Sequence, residues 1–167
     1  MSTTTPILID EVRSHLNRAM VEVFGTMVGI EAKPAAVCDL HAAGLTLVAG
    51  SVRFDGDVTG VFHIHVTAPF ARTLASRMLG LTEAELEGDE MVNDVIGELS
   101  NMIVAGVKSR LCDAGANCVL SVPTITRSSS SRIERRGPSD RRLLTFRCGT
   151  DRIMVEFLMK TDLLYWI

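Results

Sequence analysis

The sequence predicts an α+β fold: a single domain whose largely antiparallel sheet carries long helices packed on one face. Three observations predict it. The strand-like runs come in hairpins and are not interleaved one for one with helices, which argues against a parallel sheet. Asp55-Gly56 lies between two β-rich runs, the pattern of a tight hairpin turn. The 167 residues are 47% hydrophobic and 22% charged. A chain of that size buries roughly 70% of its unfolded surface, enough for one core spanning residues 1–167.

The elements follow in order. Over residues 7–27, Leu8, Val12, Leu16, Ala19, Met20, Val23, Phe24 and Met27 recur at helical steps, until Gly29 and Pro34 break the pattern. A short strand is expected near 36–40. "LTLVAGSVRF" and "DVTGVFHIHV" form the first hairpin, with Phe62, Ile64 and Val66 on one face and Val61, His63 and His65 on the other. Thr67 is placed to cap a helix with Pro69 in its first turn, and Gly80 to end it. Thr82 and Glu85 have capping-box spacing. A long helix then runs from about Glu90 to Cys112 and ends at Gly115, and "CVLSVP" reads as a buried strand. Residues 127–142, rich in Ser and Arg with one Gly-Pro, read as a flexible polar loop. "RLLTFRCG" and "DRIMVEFLMK" form a second hairpin turning near Gly149, followed by the apolar "LLYWI". Each half begins with a helix and ends in a hairpin, which suggests an internal two-fold duplication.

Composition narrows the function. A net charge of −3 argues against a general nucleic-acid binder, and the arginines of 127–142 are interspersed with Glu134 and Asp140. No apolar run approaches the roughly 20 residues that a membrane span needs, and the amino terminus lacks the features of a secretory signal. Cys38, Cys112, Cys118 and Cys148 form no C-x-x-C pair, so no zinc site or disulfide framework is expected, and free thiols suit a cytoplasmic location. His63 and His65 share a strand face, and His41 is a conceivable third metal ligand. A polar sheet face explains the pair more simply, and no metal site is assigned.

The long helix carries the chemistry. At roughly 100° per residue, Asp94, Glu98 and Asn101 fall within an arc of about 60°. Lys108 lies near the same line, and Gly97 and Ala105 flank it with little bulk, so a partner's backbone could approach there. Met91, Val95, Leu99, Met102, Ile103 and Gly106 supply the core face. Most charged helix stripes are solvated faces and nothing more. Asp94 and Glu98, however, are like charges four residues apart, an arrangement that costs a few tenths of a kcal/mol.

"DVIGELSNMIVAGVKSRL", with its D-x-x-x-E-x-x-N pattern, resembles the signature helix of the CheC/CheX/FliY family of chemotaxis phosphatases. "GDVTGVFHIHVTAPFARTLASRMLG" before it and "LSVPTIT" after it resemble the same family, so the likeness runs from about residue 45 to 126. The resemblance implies a phosphatase acting on the aspartyl phosphate of a CheY-type response-regulator receiver. Glu98 would pair with the receiver's lysine, and Asn101 would enter its site and orient the attacking water. Asp94 would support docking. The receiver would bring its own Mg²⁺, so this chain needs no cofactor. In helix one the matching positions are Asp10, Ser14 and Asn17; the Glu is missing, which points to the single-site CheX branch and to a homodimer formed through the sheet. The alternative is a non-catalytic module of the same fold that binds a receiver or a flagellar-switch component. The serine run in 127–142 departs from the family, which has a glycine-containing segment there.

Overall fold

The computed structural model describes residues 9–38, 40, 44–128 and 140–160. In chain order the elements are α1 (Ile9–Val23), β1 (Ala32–Ala35), β2 (Leu47–Gly56), β3 (Thr59–Thr67), α2 (Ala68–Leu79), α3 (Gly88–Asp113), β4 (Cys118–Leu120), β5 (Thr124–Ser128), β6 (Asp140–Cys148) and β7 (Asp151–Lys160). The strands form one antiparallel sheet in the order β1-β6-β7-β3-β2, with β4 and β5 sharing the last place beside β2.

The helices form where the apolar spacing puts them. Val12, Leu16, Ala19 and Met20 of α1 are buried, and the helix ends in a π-turn (Phe24–Val28) closed by Gly29 at φ 73°. Thr67 caps α2 through a bond from the Phe70 N–H, with Pro in the first turn. These helices and α3 join Val48, Val52, Phe54, Phe62, Ile64, Val66, Val155 and Phe157 in one core. Phe62 lies between Phe54 and Phe157, with ring centroids 5.3 and 5.6 Å away.

The structure corrects four expectations. The first hairpin turns at Asp57-Val58, two residues beyond Asp55-Gly56. β2 runs on through Gly56 because β4 pairs with it there, and Asp57 is tied to Asn117 by two bonds, Asp57 N–H to the Asn117 carbonyl (2.8 Å) and Asn117 N–H to the Asp57 carboxylate (2.9 Å). The first strand lies at Ala32–Ala35, before the expected 36–40; Pro34 is tolerated because β1 is an edge strand. "CVLSVP" is not a buried strand. It comprises the three-residue β4 and a bulge on the opposite edge, where Phe54 pairs with Leu120 but Ser51 pairs with Thr124, so three residues face two. Ser121 fills the bulge, accepting from the Arg53 N–H (2.9 Å) and donating its own N–H to the Arg53 carbonyl (2.9 Å). Of the polar segment 127–142, Arg127 and Ser128 belong to β5 and 140–142 to β6; residues 129–139 and the 161–167 tail lie outside the described residues.

The face of the sheet opposite α1, α2 and α3 holds a polar row. Ser51, His63 and Glu156 are paired across β2, β3 and β7. Ser51 Oγ and His63 Nδ1 are 2.6 Å apart, and His63 Nε2 is 4.0 Å from the Glu156 carboxylate. Glu156 is 1% exposed, yet Arg141 reaches it with Nε at 2.6 Å and Nη2 at 2.5 Å. Removing the guanidinium would strand a buried carboxylate. Arg141→Met is therefore expected to destabilise the fold by about 3 kcal/mol at pH 7, the low end for a broken buried pair because Arg141 stays partly wetted. Urea denaturation of both proteins checks it.

Burial pushes the His63 pKa below 6.5, with Glu156 opposing. The fold thus favours neutral imidazole, and this contribution is complete above the unfolded pKa and lost as pH falls through the folded one. Stability should decline as pH drops below 6.5. His63→Asn should flatten that decline between pH 6.5 and 5; an unchanged slope would remove His63 as a cause.

Candidate functional site on helix α3

Helix α3 is gripped on several sides. It packs on β2, α1, α2 and the β4–β5 edge, which explains why Val92, Val95, Ile96, Leu99, Ser100, Ile103, Val104, Val107 and Leu111 are all buried. Val95, Leu99 and Ile103 occupy the expected core face. Met91, Met102 and Gly106 are only half-buried, and the core face extends instead through Val92, Ile96, Ser100 and Val104. The sequence reading missed Ser100, a fully buried polar residue whose Oγ donates to the Ile96 carbonyl one turn back (2.7 Å).

Small residues set the grip. A Cβ at Gly50 of β2 would overlap Ser100 Oγ and stand 3.0 Å from Ser100 Cβ and 3.4 Å from the Ile96 carbonyl oxygen. A Cβ at Gly106 would meet Ala19 Cβ of α1 at 3.2 Å. Polar clamps add to these contacts. Arg110 bonds Glu22 of α1 at 3.1 Å, and Arg127 of β5 bonds Asn93 at 2.7 Å and lies 3.4 Å from Asp89. Arg127 was assigned to the loop. The only sequence signal for its inward aim is the Thr124–Arg127 alternation, which an edge strand with a bulge makes hard to phase.

What the grip leaves outside is the polar line. Asp94, Glu98 and Ala105 are exposed, and Asn101 and Lys108 half-buried. Asp94, Glu98 and Asn101 make no hydrogen bond or ion pair with another described residue. An unpaired carboxylate can receive a cation, and an unpaired amide can both accept and donate a hydrogen bond. Lys108 lies where its charge acts on the Cys118 thiol, together with that of Asp57, so it borders the β4 side of the line.

Gly97 departs from its expected place. It is buried, and a Cβ there would meet Pro123 and Ile125 at 3.7 Å. Its missing side chain faces this chain's own β5 and not an open approach for a partner. In α1, Asp10 and Ser14 are exposed, but Asn17 is half-buried with its Oδ1 shut away from solvent and unpartnered. Among the described residues no three His, Cys, Asp or Glu side chains gather into a metal site; His41 lies outside them. No helix among the described residues is long and apolar enough to cross a membrane.

Comparison with known proteins gives this arrangement its context. Residues 48–147 match the family model "Chemotaxis phosphatase CheX". No curated protein sequence matches the chain significantly. Among solved structures, a chemotaxis protein CheX from Desulfovibrio desulfuricans superposes with a TM-score of 0.75 at 21% identity, covering 90% of this chain and 99% of that one. CheX in a CheX–CheY–BeF3–Mg²⁺ complex from Borrelia burgdorferi gives 0.68 at 18% identity, covering 89% and 97%. FliY from Thermotoga maritima gives 0.62 at 13%, covering 95% and 94%. The match to the family model spans more than half of the sequence and includes the whole polar line of α3, and the chain belongs to the CheX chemotaxis phosphatase family.

Proposed function

We propose that this chain hydrolyses the aspartyl phosphate of a CheY-type receiver, with Glu98 docking against the receiver's active-site lysine and Asn101 positioning the attacking water. The observation that carries the reading is an acid and an amide, adjacent on one outward line and both without partners among the described residues, in a CheX-family chain. That a protein of similar fold was crystallised with CheY, BeF3 and Mg²⁺ supports the partner class.

The chemistry asks little of the enzyme. An acyl phosphate is already reactive, and the receiver's own Mg²⁺ and lysine hold its charge. What hydrolysis lacks is a water fixed in line with the leaving oxygen. A carboxamide can orient that water without ionising, so positioning supplies the rate. A hundredfold gain corresponds to about 2.7 kcal/mol off the barrier. Glu98 provides charge complementarity to an ammonium, which steers and registers the docking, and Asp94 on the same arc adds to the negative potential. Ala105 keeps that arc low enough for a close approach, with Lys108 at its rim. This chain supplies no cofactor, and the reaction belongs in the cytoplasm with the receiver. The two sheet edges, β1 and β4–β5, offer backbone for pairing with a second copy.

The test is the decay of a phosphorylated receiver with and without the protein. Asn101→Ala should return decay toward the unassisted rate, a loss on the order of a hundredfold, while binding of the phosphorylated receiver changes little. Glu98→Ala should weaken binding and rate together. Equal decay with and without wild type, across receivers that bind it, would leave a binding module without catalysis. Separately, sedimentation at micromolar concentration should give the mass of two chains, and a single-chain mass would remove the sheet-edge dimer.

A further inference from the structure

We infer that Gly50, on the interior strand β2, and Ser100, on α3, act together as positioning residues for Asn101 and Glu98: their contact sets the height of α3 above the sheet, and that height sets how far the polar line projects. The inference rests on the phosphatase reading of that line and adds two residues that never touch the receiver.

The geometry is specific. Ser100 immediately precedes Asn101 and follows Glu98 by two residues, and it points to the opposite side of the helix, fully buried. Its Oγ bonds back to the Ile96 carbonyl at 2.7 Å and occupies the space in which a side chain at residue 50 would lie. Even with the hydroxyl gone, a methyl at 50 would stand 3.0 Å from Ser100 Cβ, tighter than most carbon contacts, while the Ile96 carbonyl at 3.4 Å is an ordinary contact. The obstacle is not the far end of a flexible side chain. It is a helix Cβ with its bonded oxygen, which moves with the backbone. A methyl at residue 50 therefore has to lift α3 locally, at the turn that carries Glu98 and Asn101. The remaining contacts, Gly106 on Ala19 and the Arg127 clamp on Asn93, hold the helix on either side of that turn. The displacement is thus concentrated at the site and not shared along the whole helix.

The pair makes a reciprocal prediction. Gly50→Ala should leave a folded protein whose stimulation of receiver decay, at saturating phosphorylated receiver, falls on the order of tenfold to a hundredfold, because misplacing a positioning group by a fraction of an ångström removes most of its effect. Receiver binding should change much less, since the exposed acids remain. Ser100→Gly removes both the hydroxyl and the Cβ that obstruct the new methyl, so Gly50→Ala/Ser100→Gly should recover most of the lost rate. Backbone amide shifts of residues 94–105 should move in Gly50→Ala and return toward wild type in the double variant.

The outcomes separate cleanly. Wild type that fails to speed decay of any bound receiver overturns the phosphatase reading and the positioning role with it. Wild type that works, with Gly50→Ala equally fast at saturation, overturns the positioning role alone. So does a slow Gly50→Ala that Ser100→Gly does not rescue, since loss without rescue reports general damage. Thermal unfolding of all four proteins shows which variants are folded at the assay temperature, and should Gly50→Ala not fold, the double variant's rate relative to Ser100→Gly alone decides between the same two outcomes.

Discussion

The seating of α3 against β2 is the constraint on which the rest of this molecule depends. Glycine weakens a strand interior by roughly 0.5–1 kcal/mol relative to alanine, and Gly50 sits within a strand paired on both sides. What offsets that weakness is a helix brought close enough for a serine hydroxyl to lie where a side chain would be. The hydroxyl cannot be left unpaired at zero exposure, and the Ile96 carbonyl one turn back satisfies it. A helix pinned this way cannot roll about its axis without breaking the contact. The outward direction of Asp94, Glu98 and Asn101 is therefore decided by the inward packing of Ile96, Ser100 and Val104, and the face open to a partner is whatever the core leaves over.

Two polar clusters show how structure separates function from architecture. The row on the face opposite α1, α2 and α3 contains the residue types of a catalytic site: a serine bonded to a histidine, a carboxylate 4.0 Å from that histidine, and an arginine bonded to the carboxylate. Yet it is internally complete. Glu156 is neutralised by Arg141, and His63 has Ser51 on one nitrogen and the carboxylate beyond the other. The strand ladders already use the backbone N–H groups of the paired strands, so among the described residues no backbone donor is free there to hold a developing oxyanion. The line on α3 is the reverse. It has fewer chemically suggestive residues, but none of Asp94, Glu98 and Asn101 has found a partner among the described residues. Satisfied polar groups hold a fold together; unsatisfied exposed ones on a rigid helix are what another molecule can use.

What the sequence disclosed follows the range of the interactions involved. Helical spacing, the Thr67 cap, the Gly80 and Gly149 punctuation and the alternation of Phe62, Ile64 and Val66 are local and were read as they stand. The misplaced features answer to distant residues. The turn at 57–58 is fixed by Asn117, sixty positions along, against the local preference for Asp-Gly. The inward face of α3 was drawn too narrow because periodicity on one helix cannot reveal that the sheet, α1, α2 and β5 all press on it. Gly97 reads as bare surface for the same reason: the space beside it is filled by Pro123 and Ile125, at and just beyond the end of the segment expected as a buried strand. The arc of Asp94, Glu98 and Asn101 was legible because helical geometry alone fixes it. Ser100, the neighbour that holds the arc in place, was invisible, since a serine in a helix carries no periodic signal.

The same logic separates α1 from α3 as the place for the proposed site. α1 has an acid, a small polar residue and an amide at the spacing of Asp94, Glu98 and Asn101, but Ser14 offers no charge to meet an ammonium. Asn17 is turned so that its carbonyl oxygen is enclosed, which denies a water the acceptor it would need. Restoring a glutamate at position 14 would therefore supply docking charge without supplying an amide that reaches outward. In the proposed reaction the α3 line would work only as a whole: charge would bring the partner, the amide would enter, and the sheet beneath would hold both at one height. A helix that lacks the seat has no use for the residues above it.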